Sequence, residues 1–124
     1  MKEDFLAEST FKFAVEAIQL SEKLYLKHEY ILSRQFGRSS TSIGANVREA
    51  KYAQSKRDFI SKLTIALKEA YESNYWMDLL IHLNYIDNSC YQNLTDQCGK
   101  IRATLISSIK TAKQNLAKDT QPPS

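Results

Sequence analysis

Both prolines of this 124-residue chain stand side by side in the tail, at Pro122 and Pro123, and only three glycines occur in the whole sequence. The rest of the chain lacks the residues that punctuate turns, and nothing in it resembles the evenly spaced turn signals of an all-β protein. Long helices follow. A chain of this length with 43% hydrophobic residues has material for one core and one domain over residues 1–124. The core is expected over about residues 9–117, with a frayed tail over about 119–124.

Four amphipathic segments emerge from the spacing of apolar residues. The first runs from about Phe5 or Ser9 to His28, with Phe11, Ala14, Val15, Ile18, Leu24 and Tyr25 on one face. The second runs from about Glu29 to Ala53 with Leu32, Phe36, Ile43, Val47 and Ala50 aligned. Gly37 and the run Arg38-Ser39-Ser40-Thr41-Ser42 weaken its middle, which predicts a kink or a restart near Gly37.

In the third segment, Ser55-x-x-Asp58 forms a capping-box-like start. From there Phe59, Leu63, Ala66, Ala70, Met77, Leu80 and Asn84 follow a coiled-coil seam, with Ser73 at the remaining position. Ile60, Leu67 and Ile81 widen the stripe. This helix is expected to reach Ile86, roughly 30 residues and about 45 Å. After Asp87-Asn88-Ser89, a fourth helix aligns Leu94, Cys98, Ile101, Leu105, Ile109, Ala112 and Leu116. Connections this short make neighbours of consecutive helices, so the fold class is all-α, an antiparallel up-down four-helix bundle.

The inventory for catalysis is thin. His28 and His82 lie in different segments with no metal spacing to Cys, Asp or Glu, and phosphate loops, nucleophile elbows and dinucleotide fingerprints are missing. No Glu-x-x-His pair suits a bundle metal site. The chain is therefore read as non-enzymatic, with no cofactor and no small-molecule substrate. Cys90 and Cys98, about 12 Å apart along one helix, cannot bridge each other there and read as buried thiols. No run approaches the roughly 18 apolar residues of a membrane span, and the acidic start Met1-Lys2-Glu3-Asp4 does not suit a signal peptide. A cytoplasmic protein with no membrane partner is expected.

The net charge of +3 hides segregation. Residues 1–30 carry −2, residues 31–68 carry +6, residues 69–99 carry −5 and residues 100–124 carry +4. In an up-down bundle the end of the second helix, the start of the third and the end of the fourth share one end. Arg48, Lys51, Lys56, Arg57, Lys62, Lys110, Lys113 and Lys118 gather there, while Glu72, Asp78, Asp87 and Asp96 gather at the other. Clustered cations are the electrostatic footprint of a protein that meets a phosphate backbone. Arg48, Lys51, Lys56, Arg57, Lys62, Lys110 and Lys113 are the expected RNA- or DNA-binding residues, and Tyr52 could stack on a base. The bland alternative is a solvated face that complements helix C-termini.

The run Thr41-Ser42-Ile43-Gly44-Ala45-Asn46-Val47-Arg48-Glu49-Ala50 is followed by Asp58-Phe59 and by Leu63-Thr64-Ile65-Ala66-Leu67-Lys68-Glu69-Ala70. These residues, with Tyr75-Trp76 and Leu79-Leu80 after them, resemble the four-helix-bundle proteins encoded in intervening sequences of 23S ribosomal RNA genes. The resemblance covers nearly the whole chain, most closely from about Phe11 to Lys113. It implies a bacterial protein that forms a closed cyclic homo-oligomer, a pentamer. The chain is also similar to the accessory proteins of diversity-generating retroelements, basic barrels that bind a reverse transcriptase and nucleic acid. A partner enzyme of that kind is the alternative to direct nucleic-acid binding.

Some of the matched residues carry expectations of their own. Ser40 and Gly44, small and one turn apart, would let a neighbouring helix approach closely. Asn46, beside the apolar stripe, needs its amide satisfied and could set helix register or a subunit contact. Tyr71, Tyr75 and Trp76 either complete a wide core or form a second apolar stripe at a subunit interface.

Overall fold

A computed structural model describes residues 1–119, so of the tail expected to fray only Asp119, the last residue of the fourth helix, is described. The four helices are α1 (Lys2–Leu26), α2 (Tyr30–Lys51), α3 (Lys56–His82) and α4 (Asn88–Asp119). Cross-helix contacts show each neighbouring pair to be antiparallel. Along α1 and α2, Thr10 lies against Gly44 and Ser21 against Gly37. Along α2 and α3, Ser39 meets Ser73 and Glu49 meets Lys62. Along α3 and α4, Ala70 meets Cys98 and Asp78 meets Tyr91. The bundle closes where Lys2 of α1 meets Ser107 and Glu16 meets Asn93 and Gln97.

The seam of α3 buries Leu63, Ala66, Ala70, Ser73, Met77 and Leu80. Its start is capped as its residues predict: the Asp58 N–H donates to Ser55 Oγ at 3.0 Å, and Asp58 Oδ2 accepts from the Gln54 N–H. Its end falls earlier than expected. Asn84 is exposed and left-handed, at φ 63°. The Tyr85 N–H reaches back to the Leu80 carbonyl and the Asn84 N–H to that of Ile81. That pattern is a Schellman cap, which asparagine tolerates because its short polar side chain suits the left-handed region. α1 ends the same way at His28, φ 68°, with Glu29 bonded to Leu24. α4 then starts from Asp87, whose carboxylate accepts the Cys90 N–H at 2.7 Å.

Two other expectations are corrected. α2 is continuous through Gly37, with no kink or restart. Its polar run finds partners that leave the helix intact: Ser39 and Ser40 bond Ser73 on α3, and Thr41 bonds back to the Gly37 carbonyl. The buried face of α1 is also not the one its apolar residues suggest. Leu6, Thr10, Phe13, Ala17, Ser21 and Leu24 are buried, while Phe11, Val15, Ile18 and Tyr25 are exposed. α1 carries two stripes, and the smaller, partly polar one is buried because it can press against the glycines of α2. The Thr10 hydroxyl is satisfied within its own helix by the Leu6 carbonyl at 2.5 Å. Ser33 of α2 donates to the Ser21 carbonyl at 2.7 Å.

A Cβ added at Gly44 would lie 3.3 Å from Thr10 Oγ1, 3.4 Å from its Cβ and 3.5 Å from its backbone oxygen. One added at Gly37 would meet Ser21 Oγ at 3.1 Å, but that hydroxyl has no hydrogen-bond partner and can rotate away. Alanine in place of helical glycine gains about 1 kcal/mol, and overpacking costs about 1–3 kcal/mol. Gly37→Ala should therefore melt at or above the unmodified protein, whereas Gly44→Ala should melt below it; thermal denaturation followed by circular dichroism compares the two.

Glu16 ties α1 to α4. Burial pushes its carboxyl up, but the amides of Asn93 and Gln97 and the ammonium of Lys12 outweigh burial and hold it below the ordinary value of 4.5. A carboxylate with a depressed folded-state pKa stabilises the fold above its unfolded value, and that stability is lost as pH falls through the folded value. Glu16→Gln should remove part of the loss of stability below about pH 4.5, which urea titrations at pH 6 and at about pH 3.5 would measure.

Candidate nucleic-acid interface

The last turn of α2 carries Arg48 and Lys51, the connection Tyr52-Ala53-Gln54-Ser55 turns the corner, and the first turn of α3 carries Lys56 and Arg57. The corner is tight because Tyr52 and Ala53 bond back to Glu49 and Ala50 while Ser55 caps the next helix. Arg48, Lys51, Lys56, Arg57, Lys110 and Lys113 are all exposed, and Tyr52 projects with 75% of its surface free.

The cations differ in what they meet. Lys56 is ion-paired with Asp119, and Lys62, half-buried, with Glu49 at 3.2 Å. Arg48, Lys51, Arg57, Lys110 and Lys113 make no ion pair among the described residues. They do not form a single patch. Beside the corner, a cleft of about 1030 Å³ opens between the helix ends, with Arg48, Lys51 and Lys56 among its walls. α4 contributes Ser108, Thr111, Ala112 and Asn115 to it, and Lys110 and Lys113 lie outside that stripe.

The sequence reading left α1 out of this end. Its first turn also lies here, and Lys2, Glu3 and Asp4 line the same cleft. With Glu49 and Asp58 at the corner and Asp119 paired with Lys56, carboxylates dilute the positive charge. The signal was available, since an up-down bundle must bring the start of its first helix to the end where its second helix finishes. Near the middle of the bundle, Arg38 of α2 is paired with Glu69 and Glu72 of α3, which takes Glu72 out of the acidic cluster expected at the other end.

The remaining singled-out residues fall into place within the bundle. Ser40 is fully buried and faces Ser73, whereas Gly44 faces Thr10, so the two serve different helix contacts. The Asn46 amide donates to the Ser42 carbonyl at 2.8 Å within its own helix. Trp76 is half-buried against the core with its ring N–H on Glu72, whereas Tyr71 and Tyr75 are exposed. His28 and His82 are exposed at helix ends. Cys98 is fully buried and donates its S–H to the Ala70 carbonyl, and burial pushes its thiol pKa up. Among the described residues no three His, Cys, Asp or Glu side chains gather as a metal site, and no helix is long and apolar enough to cross a membrane.

Fold and surface together define a small all-α bundle whose helix ends carry free cations around a cleft. The sequence profile of the 23S rRNA-intervening sequence protein family matches residues 5–107, and the chain belongs to that family. A crystal structure at 1.70 Å of a protein of unknown function from the S23 ribosomal protein family, from Bacteroides thetaiotaomicron, is similar to it. The two share 44% sequence identity with a TM-score of 0.85, over 89% of this chain and 99% of the other. No curated protein matches the chain significantly.

Proposed function

We propose that the chain acts by assembling and binding rather than by catalysis. Copies close into a cyclic homo-oligomer of five, and the cationic rim so formed binds RNA or DNA through phosphate contacts. The observation that carries this reading is the α2–α3 corner, where Arg48, Lys51 and Arg57 stand exposed without a carboxylate partner around the free ring of Tyr52. A ring repeats the corner once per subunit, and the fields of the copies add.

Lys56 and Lys62, held by Asp119 and Glu49, contribute less in this reading, because a phosphate must displace the carboxylate first. Contact through about three to four phosphates predicts an affinity that falls roughly 40- to 150-fold between 50 and 200 mM salt. The cleft favours a second reading. Its walls include Leu6, Phe11, Val47 and Phe59 beneath the charged rim, and apolar walls of that kind suit a segment of a protein partner, such as an enzyme docked on the bundle.

Arg48→Glu, Lys51→Glu and Arg57→Glu combined should abolish binding to a generic structured RNA, measured by fluorescence anisotropy at 50 mM salt, with the helical circular dichroism unchanged. RNA binding retained by this variant, or insensitive to salt in the unmodified protein, would refute phosphate contact at this corner. If the unmodified protein binds no RNA at all, the scaffold reading stands instead.

A further inference from the structure

The bundle carries two apolar faces that its own core leaves outside. On α1, Phe11, Val15 and Ile18 are 59%, 44% and 39% exposed, and Glu8, also exposed, continues their stripe at the helical step of three. On α3, Tyr71 and Tyr75 are 50% and 57% exposed. α1 and α3 are not neighbours; they lie across the diagonal of the bundle, so the two faces look in different directions.

Beside the second face lies a guanidinium that contacts the Cys98 thiol but has no carboxylate partner among the described residues. The Arg102 guanidinium sits 5.1 Å from the centroid of the Tyr71 ring. It makes no ion pair among the described residues, and its Nε is buried without a hydrogen-bond partner. A partly desolvated guanidinium stacked on an aromatic ring is suited to an incoming carboxylate.

We infer that these two faces are the halves of one heterologous contact between copies of this chain. Phe11, Val15 and Ile18 of one copy pack on Tyr71 and Tyr75 of the next, and Glu8 completes Arg102. The inference rests on the homo-oligomer reading above and specifies its seam.

Height along the bundle supports the pairing. Rotation about a ring axis parallel to the helices leaves height unchanged, so two different faces can meet only if they sit at the same level. Gly37 is level with Ile18 and Ser21, and Gly44 with Thr10. Between those glycines, Ser39 and Ser40 are level with Ser73. Tyr71 and Tyr75 flank Ser73, which puts them at the height of the stretch from Phe11 to Ile18. Independently, Lys2 is level with Ser107, and Glu16 with Asn93 and Gln97. Interpolation between those contacts sets Glu8 at the height of Arg102. Apolar surface thus meets apolar surface, and opposite charges fall at one level. Because the faces differ, each copy offers one of each, and the contact propagates head to tail until the ring closes.

The test is the mass in solution by light scattering. The unmodified protein should run as a ring. Val15→Glu with Ile18→Glu breaks one face, and Tyr71→Glu with Tyr75→Glu breaks the other; each should fall to the single-chain mass of 14.2 kDa with helicity retained. Mixed in equal amounts, the two variants should form a species of about twice that mass, because each supplies the face the other lacks, an outcome unique to a heterologous seam. Glu8→Arg and Arg102→Glu, each disruptive alone, should restore assembly when combined, which holds even if a face variant fails to fold. A ring that survives in either folded face variant, or a mixture that stays at single-chain mass, overturns the seam and leaves the oligomer reading standing. An unmodified protein of single-chain mass overturns both.

Discussion

The close approach of α1 and α2 is the constraint on which the rest of this bundle depends. Gly44 lies against Thr10 and Gly37 against Ser21 with no room to spare for a methyl group at Gly44, so the two backbones come closer than larger side chains would permit. That proximity dictates which stripe of α1 turns inward. Thr10, Ala17 and Ser21 fit there; the Thr10 hydroxyl finds the Leu6 carbonyl and the Ser21 carbonyl accepts from Ser33, while the Ser21 hydroxyl stays buried without a partner. A hydroxyl buried without a partner costs about 1–3 kcal/mol, a cost the stripe avoids at Thr10 and bears at Ser21.

The choice has a consequence on the outside. Once the small stripe is buried, Phe11, Val15 and Ile18 have nowhere to go within the bundle, and α1 shows an apolar ridge to solvent. Scattered apolar residues on a surface are ordinary, but here they are aligned along one helix. The buried serines of α2 belong to the same logic. Ser39 and Ser40 reach Ser73 on α3, which fixes the register of the second helix pair as the glycines fix the first. The tight packing of α1 on α2 and the apolar ridge that α1 shows to solvent thus share one cause.

Charge follows topology more than composition. The basic character of residues 31–68 survives folding as a corner with three free cations, but the antiparallel arrangement also delivers Glu3 and Asp4 of α1 to that end. Local pairing then sorts the cations into those held by carboxylates, Lys56 and Lys62, and those left free. Only the second group is available to a phosphate without first breaking an ion pair, and this sorting cannot be read from a segment-by-segment count.

Much of the architecture was legible because helical periodicity is a local property. The seam of α3, the Ser55 cap, the buried faces of α2 and α4 and the up-down order follow from residue spacing and short connections. The end of α3 was misplaced because Asn84 fits a seam position and a left-handed cap equally well, and only the backbone shows which it takes. The continuity of α2 was hidden because a serine run weakens a helix only when its hydroxyls compete for local backbone; here Ser39 and Ser40 also reach Ser73 on α3. What the sequence by itself determined was four amphipathic helices, their order and the segregation of charge along the chain. What only the tertiary structure decided was which of two stripes on α1 is core and which cations stay unpaired, since both depend on the fit between helices distant in sequence.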